Sequence, residues 1–448
     1  MTKPLLLAGV FLSLCRYRAA AFLTFWLVVV SASVSAAVSV SAPPRPSQDA
    51  QGNRLRYAAT GHISNYDESK VGNTTLPDPL VRQNGQPVRD AQTWLTVRRS
   101  EILSLYETEI FGRVPPTVPK VAFEVVATDP QALGGVAVRK HIVVRFGDVA
   151  NGPSVDVVLF VPAKARRPVP LLLQLLFGTP PGITPKASLA SEGPKVPNEV
   201  GPISDFVARG YAYATFCYKE IEGDGPTLNL RGVRKLALAP GQEKPADGEW
   251  GTIAAWGWGT SRVLDCLATD PTLDAKRVGL VGHSRLGKTA LWVGAQDPRF
   301  AVIFASCSGE MGASLARRDF GESVDDVVEN FPWWFTSRFQ KYAGHWNDLP
   351  VDAHLLIALS APRRVFVTGG TKDLWADPRG EFLAQVAAGP VYRLLGKKDL
   401  GTTVLPPLDT PLTGGDLGFL YHTGGHDTTA ADWKAFLDFA ERTLRPVP

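Results

Sequence analysis

Val278-Gly-Leu-Val-Gly-His-Ser-Arg-Leu-Gly-Lys288 joins an apolar run to a helix-forming stretch that continues to Gln296, with Ser284 at the junction. A serine on so sharp a strand-to-helix turn holds its hydroxyl above a sheet, at the positive end of a helix, which suits a nucleophile. The general elbow pattern, Gly-x-Ser-x-Gly, needs glycine at 286; here Leu286 stands there and Gly287 follows. A plain strand-to-helix turn is therefore the competing reading. Lys288 lies one helical turn beyond Ser284 on the same face, so its ammonium reaches the mouth of a pocket above the serine. Arg285 follows Ser284 directly, where its backbone N–H would serve an oxyanion hole. The first turn of a helix is the unfavourable end for positive charge. Two cations there suit an acyl group that is itself negatively charged; solvated helix-end cations are the alternative.

A hydrolase with this elbow runs serine, acid, histidine along the chain. Of the seven histidines, that order leaves His345, His354, His422 and His426 as the base. Tyr421-His-Thr-Gly-Gly-His-Asp427 precedes a closing helix expected over Asp432–Leu444, and its glycines let a histidine return over Ser284. His426 is preferred and His422 is the rival, while His354 falls in an apolar helical segment, Ala353–Leu359, and reads as structural. For the acid, Gly369-Gly-Thr-Lys-Asp-Leu-Trp-Ala-Asp-Pro378 offers Asp373 first off an apolar strand. A carboxylate there would orient the imidazole and stabilise its cation. Glu310, off the preceding strand, is the main alternative, and Asp377 before a proline reads as a turn cap.

These groups need a sheet to present them. A helical pattern runs from Trp94 to Phe111, with apolar residues three and four apart. Three amphipathic runs, Val121–Ala127, Val136–Val144 and Val155–Val161, read as antiparallel strands. Leu171–Leu176, Tyr211–Phe216, Val278–Val281, Ala301–Ala305, Val365–Thr368 and Thr403–Leu405 are continuous apolar runs, mostly spaced by helix-length segments. They read as a parallel sheet covered on both faces. An antiparallel start feeding a mostly parallel central sheet is the three-layer α/β-hydrolase sandwich. No boundary divides residues 91–448, which are expected to be one catalytic domain.

Ahead of that domain, Lys3, Arg16 and Arg18 precede an uncharged run, Ala19–Val30, and the small residues Ser31–Ala37. This describes a signal peptide over residues 1–37, cleaved after Ala36 or Ala37, and a secreted or periplasmic protein. A retained anchor is the alternative, although the uncharged run falls short of the ~20 residues that span a bilayer. Residues 38–90 read as a Pro/Ser/Gln-rich tether and an irregular extension. The chain of 448 residues carries a net charge of only +4, and removing the leader brings it near neutral. No basic run is present, which sets nucleic acid aside. Cys217, Cys266 and Cys307 would remain after cleavage, enough for one bridge and one free thiol, and no pair has metal-ligand spacing.

Several blocks together resemble the bacterial glucuronoyl esterases of carbohydrate esterase family 15. They are Gly282-His-Ser-Arg-Leu-Gly-Lys288, Trp256-Gly-Trp258, Ser308-Gly-Glu310, Gly321-Glu322, Trp334-Phe335, Leu349-Pro-Val-Asp-Ala-His354, Asp373-Leu-Trp-Ala-Asp377 and Gly425-His426. The resemblance spans residues 78–446. It implies cleavage of the ester between glucuronic acid of xylan and a lignin alcohol, with Ser284 as nucleophile, His426 as base and the Arg285 side chain on the oxyanion. It also implies that Lys288, Glu322 and Trp375 bind the glucuronoyl sugar. Many members place the catalytic acid as a glutamate just after the strand following the elbow, where this chain has Cys307. Some bacterial relatives carry an aspartate on the next strand's loop instead, which corresponds to Asp373. The expected enzyme is therefore a Ser-His-Asp serine esterase acting on glucuronoxylan and lignin–carbohydrate esters. It is expected to be a monomer without metal, cofactor, nucleic-acid or stable membrane partner. Another carbohydrate carboxylesterase, such as an acetylxylan esterase, is the nearest alternative, followed by a carbohydrate-binding protein of the same fold that has lost catalysis. At least one ring of Trp333-Trp334 is expected to be buried.

Overall fold

The computed structural model describes residues 45–72, 74–148, 152–186 and 199–445; the expected signal peptide at 1–37 and the first part of the tether lie outside them. From Ser47 onward the chain clusters as one compact unit. Its centre is a nine-stranded sheet: β1 (Val121–Gln131), β2 (Ala137–Phe146), β3 (Ser154–Pro162), β4 (Val169–Leu176), β5 (Ala212–Cys217), β6 (Leu273–His283), β7 (Phe300–Ser306), β8 (Arg364–Gly370) and β9 (Leu417–His422). The order is β1-β2-β3-β5-β4-β6-β7-β8-β9. Pairing is antiparallel from β1 to β3 and between β3 and β5, and parallel from β5 to β9. This is the three-layer α/β-hydrolase architecture that the apolar runs imply.

The parallel strands are apolar throughout because both faces are covered, and the alternation of side chains divides each run between two cores. On β4, Leu171, Leu173 and Leu175 join the core beneath helices Thr252–Leu267, Arg285–Gln296, Ala353–Leu359 and Pro378–Leu394. Leu172 joins the opposite core with Phe206, Trp433 and Phe436 from helices Ile203–Ala208 and Ala430–Leu444. Val365 and Val367 on β8 face the first core and Phe366 the second. The helical pattern at the start of the domain forms over Ala91–Ile110, with two π-helical segments, Trp94–Arg98 and Tyr106–Ile110.

Thr403–Leu405 is not a strand: it is an irregular loop in which Val404 is 73% exposed. The ninth strand is Leu417–His422, with Tyr421 and His422 at its C-terminal end. The extension before the domain packs onto it from Ser47: Gly321 donates its N–H to Asn65 O at 2.8 Å, and Asn65 Nδ2 donates to Asp319 O at 2.6 Å. No helix among the described residues is long and apolar enough to cross a membrane.

Candidate active site

Ser284 stands at the C-terminal end of β6, where the parallel sheet delivers its loops, with φ 56° and ψ −128°. Such a conformation is costly for a residue with a Cβ and persists only when its surroundings fix it. Ser284 N–H donates to Ser306 O at 2.8 Å, and Ser284 O accepts from Gly287 N–H at 2.8 Å and from Lys288 N–H at 3.1 Å. Gly282 permits the turn, since a Cβ there would lie 2.0 Å from Leu286 O. The glycine is displaced from 286 to 287 for a packing reason. Leu286 is buried in the core, whereas a Cβ on Gly287 would come within 2.8 Å of Ser308 Cβ beyond β7.

The loops leaving β8 and β9 are laced together above the same sheet edge. Thr371 N–H donates to His422 O at 3.0 Å and Lys372 N–H to Gly424 O at 2.7 Å. Gly370 allows this approach, because a Cβ there would sit 2.2 Å from Gly425 O. The result brings His426 Nδ1 to 2.6 Å from Asp373 Oδ2, with the carboxylate side chain 4% exposed and the imidazole 43% exposed. The His283 ring lies 4.6 Å from that of His426. Its Nδ1 meets Ser306 Oγ at 3.2 Å and Thr428 Oγ1 at 3.3 Å. Burial, followed by the neighbouring His426 and His422, lowers its pKa well below the usual range, so His283 is a neutral wall beside His426. Cys307 is also here: its sulfur and the ligand atoms of Asp373 and His426 all lie within 4.8 Å of one another. Burial first, then the Asp373 charge, raises its thiol pKa well above normal, so it is a neutral filler. Cys217, Cys266 and Cys307 are all free and buried.

The other candidates lie in different surroundings. Glu310 is fully buried; burial first, then Asp352 and Glu322, raises its pKa strongly, against the pull of Lys288. His422 is buried with Nε2 3.8 Å from Asp432 Oδ2. His354 Nε2 meets Pro77 O at 2.8 Å, and His345 is exposed beside Asp348. Asp377 caps helix Pro378–Leu394, accepting from Gly380 N–H at 2.9 Å, and pairs with Arg318 at 2.8 Å.

Arg285 is held by a carboxylate that the sequence reading did not single out. Its Nη1 lies 2.5 Å from Asp224 Oδ2, and its guanidinium stands 4.7 Å from the Trp334 ring centre, 5.3 Å from Phe331 and 5.6 Å from Phe177. Asp224 also accepts from Trp333 Nε1 and Trp334 Nε1, each at 2.8 Å, and from Tyr218 Oη at 2.6 Å. Burial would raise this carboxyl, but the Arg285 charge and these donors outweigh it and hold its pKa below normal. Trp334 is buried and Trp333 partly so. Lys288 is buried, donating to Ser308 O at 2.5 Å, with Glu322 Oε2 at 3.5 Å and the Trp334 ring centre at 6.0 Å. Glu322 N–H donates to Trp375 O at 2.8 Å, which ties those two candidate sugar ligands together.

The loop after β4, the strand beside the nucleophile strand, is where this architecture commonly supplies a second oxyanion N–H. Here Glu199 occupies those donors: its carboxylate accepts from Phe177 N–H and, at 3.2 Å, from Gly178 N–H. Both of those N–H groups are therefore already engaged in this structure.

Residues 244–396 match the family described as glucuronyl esterase, fungi. The chain is 40% identical over 404 residues to carbohydrate esterase MZ0003 from an unknown prokaryotic organism, spanning 85% of this chain and 92% of that protein. It is 41% identical to the solved glucuronoyl esterase from Solibacter usitatus, with a TM-score of 0.78 over 84% of this chain and all of that one. A promiscuous family 15 esterase from a marine bacterial metagenome is 37% identical, with a TM-score of 0.76 over 85% of this chain and 100% of its own. The chain belongs to the glucuronoyl esterases of carbohydrate esterase family 15.

Proposed function

We propose that this protein hydrolyses the ester joining glucuronic acid of xylan, plain or 4-O-methylated, to lignin alcohols, with Ser284, His426 and Asp373 as its catalytic triad. Ser284 Oγ attacks the C6 carbonyl while His426 takes its proton; His426 then protonates the departing alcohol, leaving a glucuronoyl ester on Ser284. Water, deprotonated by His426, attacks that ester and releases glucuronic acid and the serine hydroxyl. Asp373 holds the imidazole through the 2.6 Å contact at Nδ1, leaving Nε2 for the proton transfers. Arg285 supplies positive charge where the tetrahedral oxyanion develops. Lys288, Glu322 and Trp375 bind the sugar. The observation that carries this reading is the pair of cations, Arg285 and Lys288, set by one helical turn on the helix that starts at Ser284. An acetyl ester has no use for the second. The charged leader and its small-residue exit support export, where the polymer is found.

The test compares hydrolysis of a benzyl glucuronate ester with its galacturonate and acetate counterparts. Faster release from the glucuronate is expected, and activity on acetate alone would overturn the assignment. Within that assay, Asp373→Asn should reduce kcat by about three to four orders of magnitude. Glu310→Gln should cost less than about tenfold. The reverse ranking would move the acid to Glu310.

A further inference from the structure

The extension before the catalytic domain builds one wall of a cavity beside Trp375. Its volume is about 280 Å³, room for one sugar ring, and its lining includes Asn53, Arg54, Arg56, Tyr66, Lys372 and Trp375. Three of these are cations, two are aromatic, and none of the described lining residues is Asp or Glu. Arg56 stands 5.0 Å over the Trp375 ring, and its Nη1 donates to the neutral Asn330 Oδ1 at 3.0 Å. Tyr66 Oη donates to Arg54 O at 2.9 Å, which fixes the backbone that carries Arg54. Arg54 and Lys372 are exposed. Lys372 is adjacent to Asp373, and its N–H is anchored on Gly424 O at 2.7 Å.

Aromatic faces suit the apolar face of a pyranose, and a cation cluster suits carboxylate. A neutral xylose unit would use the rings but not the exposed charges of Arg54 and Lys372. Trp375 lines this cavity and its backbone oxygen accepts from Glu322 N–H at 2.8 Å, so the cavity and the proposed site for the esterified sugar share a wall within reach of one polysaccharide chain. We propose that this cavity is a subsite for a second, unesterified uronate on the same oligosaccharide. The proposal rests on the esterase reading above.

Three substrates separate the two ideas: a monomeric benzyl glucuronate ester, the same ester on a neutral xylooligosaccharide, and the same ester on a xylooligosaccharide bearing one additional free glucuronate. The wild type is expected to favour the third over the second. The double variant Arg54→Gln, Lys372→Gln should lose about tenfold in kcat/KM on the third substrate while changing less than about twofold on the first two. Raising ionic strength should erase the wild-type preference. Equal wild-type rates on the second and third substrates, or equal loss on all three in the variant, would overturn the subsite. Failure to cleave any of the three would instead overturn the esterase reading. In that case calorimetric titration with the unesterified, doubly glucuronated xylooligosaccharide decides: about tenfold weaker binding to the double variant supports the subsite, and unchanged binding rejects it.

Discussion

At the scale of single residues, Asp224 determines what Arg285 can do. A guanidinium ringed by Phe177, Phe331 and Trp334 has many orientations of similar energy unless a fixed acceptor selects one. Asp224 is that acceptor, itself fixed by Tyr218, Trp333 and Trp334. Its pKa is held below normal, so it stays ionised throughout the neutral range. Asp224→Asn keeps the shape and removes the charge. On the proposed mechanism, in which Arg285 meets the oxyanion, it should lower kcat about 10- to 100-fold on a glucuronate ester with little change in KM. An unchanged kcat, or a loss confined to KM, would show that Arg285 needs no such positioning. The sequence made Ser284, Arg285 and Lys288 legible because they are adjacent and their spacing is a chemical statement. Asp224 lies in Gly223-Asp-Gly-Pro226, where the composition announces only a turn. Besides nearby Tyr218, its partners Arg285 and Trp333-Trp334 come from two distant segments, so only the folded chain assembles them. Glu199 was equally hidden, since an isolated carboxylate carries no sign of the N–H groups it meets.

At the scale of elements, the elbow depends on two glycines that are not equivalent. A Cβ at Gly282 would meet backbone, Leu286 O at 2.0 Å and Leu286 C at 2.4 Å, which cannot move without opening the turn. A Cβ at Gly287 would meet Ser308 Cβ at 2.8 Å and two backbone oxygens at 3.3 Å, a milder overlap than at Gly282. Gly282→Ala should therefore destabilise by about 3 kcal/mol or more, and Gly287→Ala by clearly less, read from urea unfolding. Equal costs would mean that the turn tolerates rearrangement. The same reasoning explains where the strand pattern misled. Thr403–Leu405 has apolar residues but runs directly into Pro406 and Pro407, and it forms a loop. The true ninth strand contains Gly418, which weakens its apolar signal. That glycine is required because a Cβ would lie 2.5 Å from the Phe366 ring and 2.8 Å from Phe439. Runs such as Leu171–Leu176 were readable because both of their faces are buried, so sequence and packing carry the same signal.

At the scale of the whole molecule, the sheet edge that carries the site also buries several carboxyls. Burial raises Glu381 to about 8, Glu199 and Glu220 to about 7, and Asp377 to about 6. Each keeps its proton in the native state at a pH where the unfolded chain has released it. For Glu381, the unfolded group titrates near 4.5, so stability falls as pH rises from about that value towards about 8, and levels off beyond. His283 acts in the opposite sense. Its native pKa is depressed, so the unfolded chain takes a proton below about 6.5 that the native state refuses, and stability falls on that acid side. Carboxylates held low, such as Asp224 and Asp156, lose their contribution only below their usual 3.8. The melting temperature should therefore peak at mildly acid pH and decline towards about pH 8.5. Glu381→Gln isolates the largest shift of these four carboxyls. The glutamine oxygen can still accept from Ser308 Oγ and Gly309 N–H, as Glu381 Oε1 does at 3.0 and 2.9 Å, while the titrating oxygen without a partner is removed. Between about pH 6 and about pH 8.5 the variant's melting temperature should fall about 2–4 °C less than that of the wild type. Parallel curves for the two proteins would show that Glu381 is already ionised in the folded state at neutral pH, and that the alkaline decline arises from the other buried carboxyls.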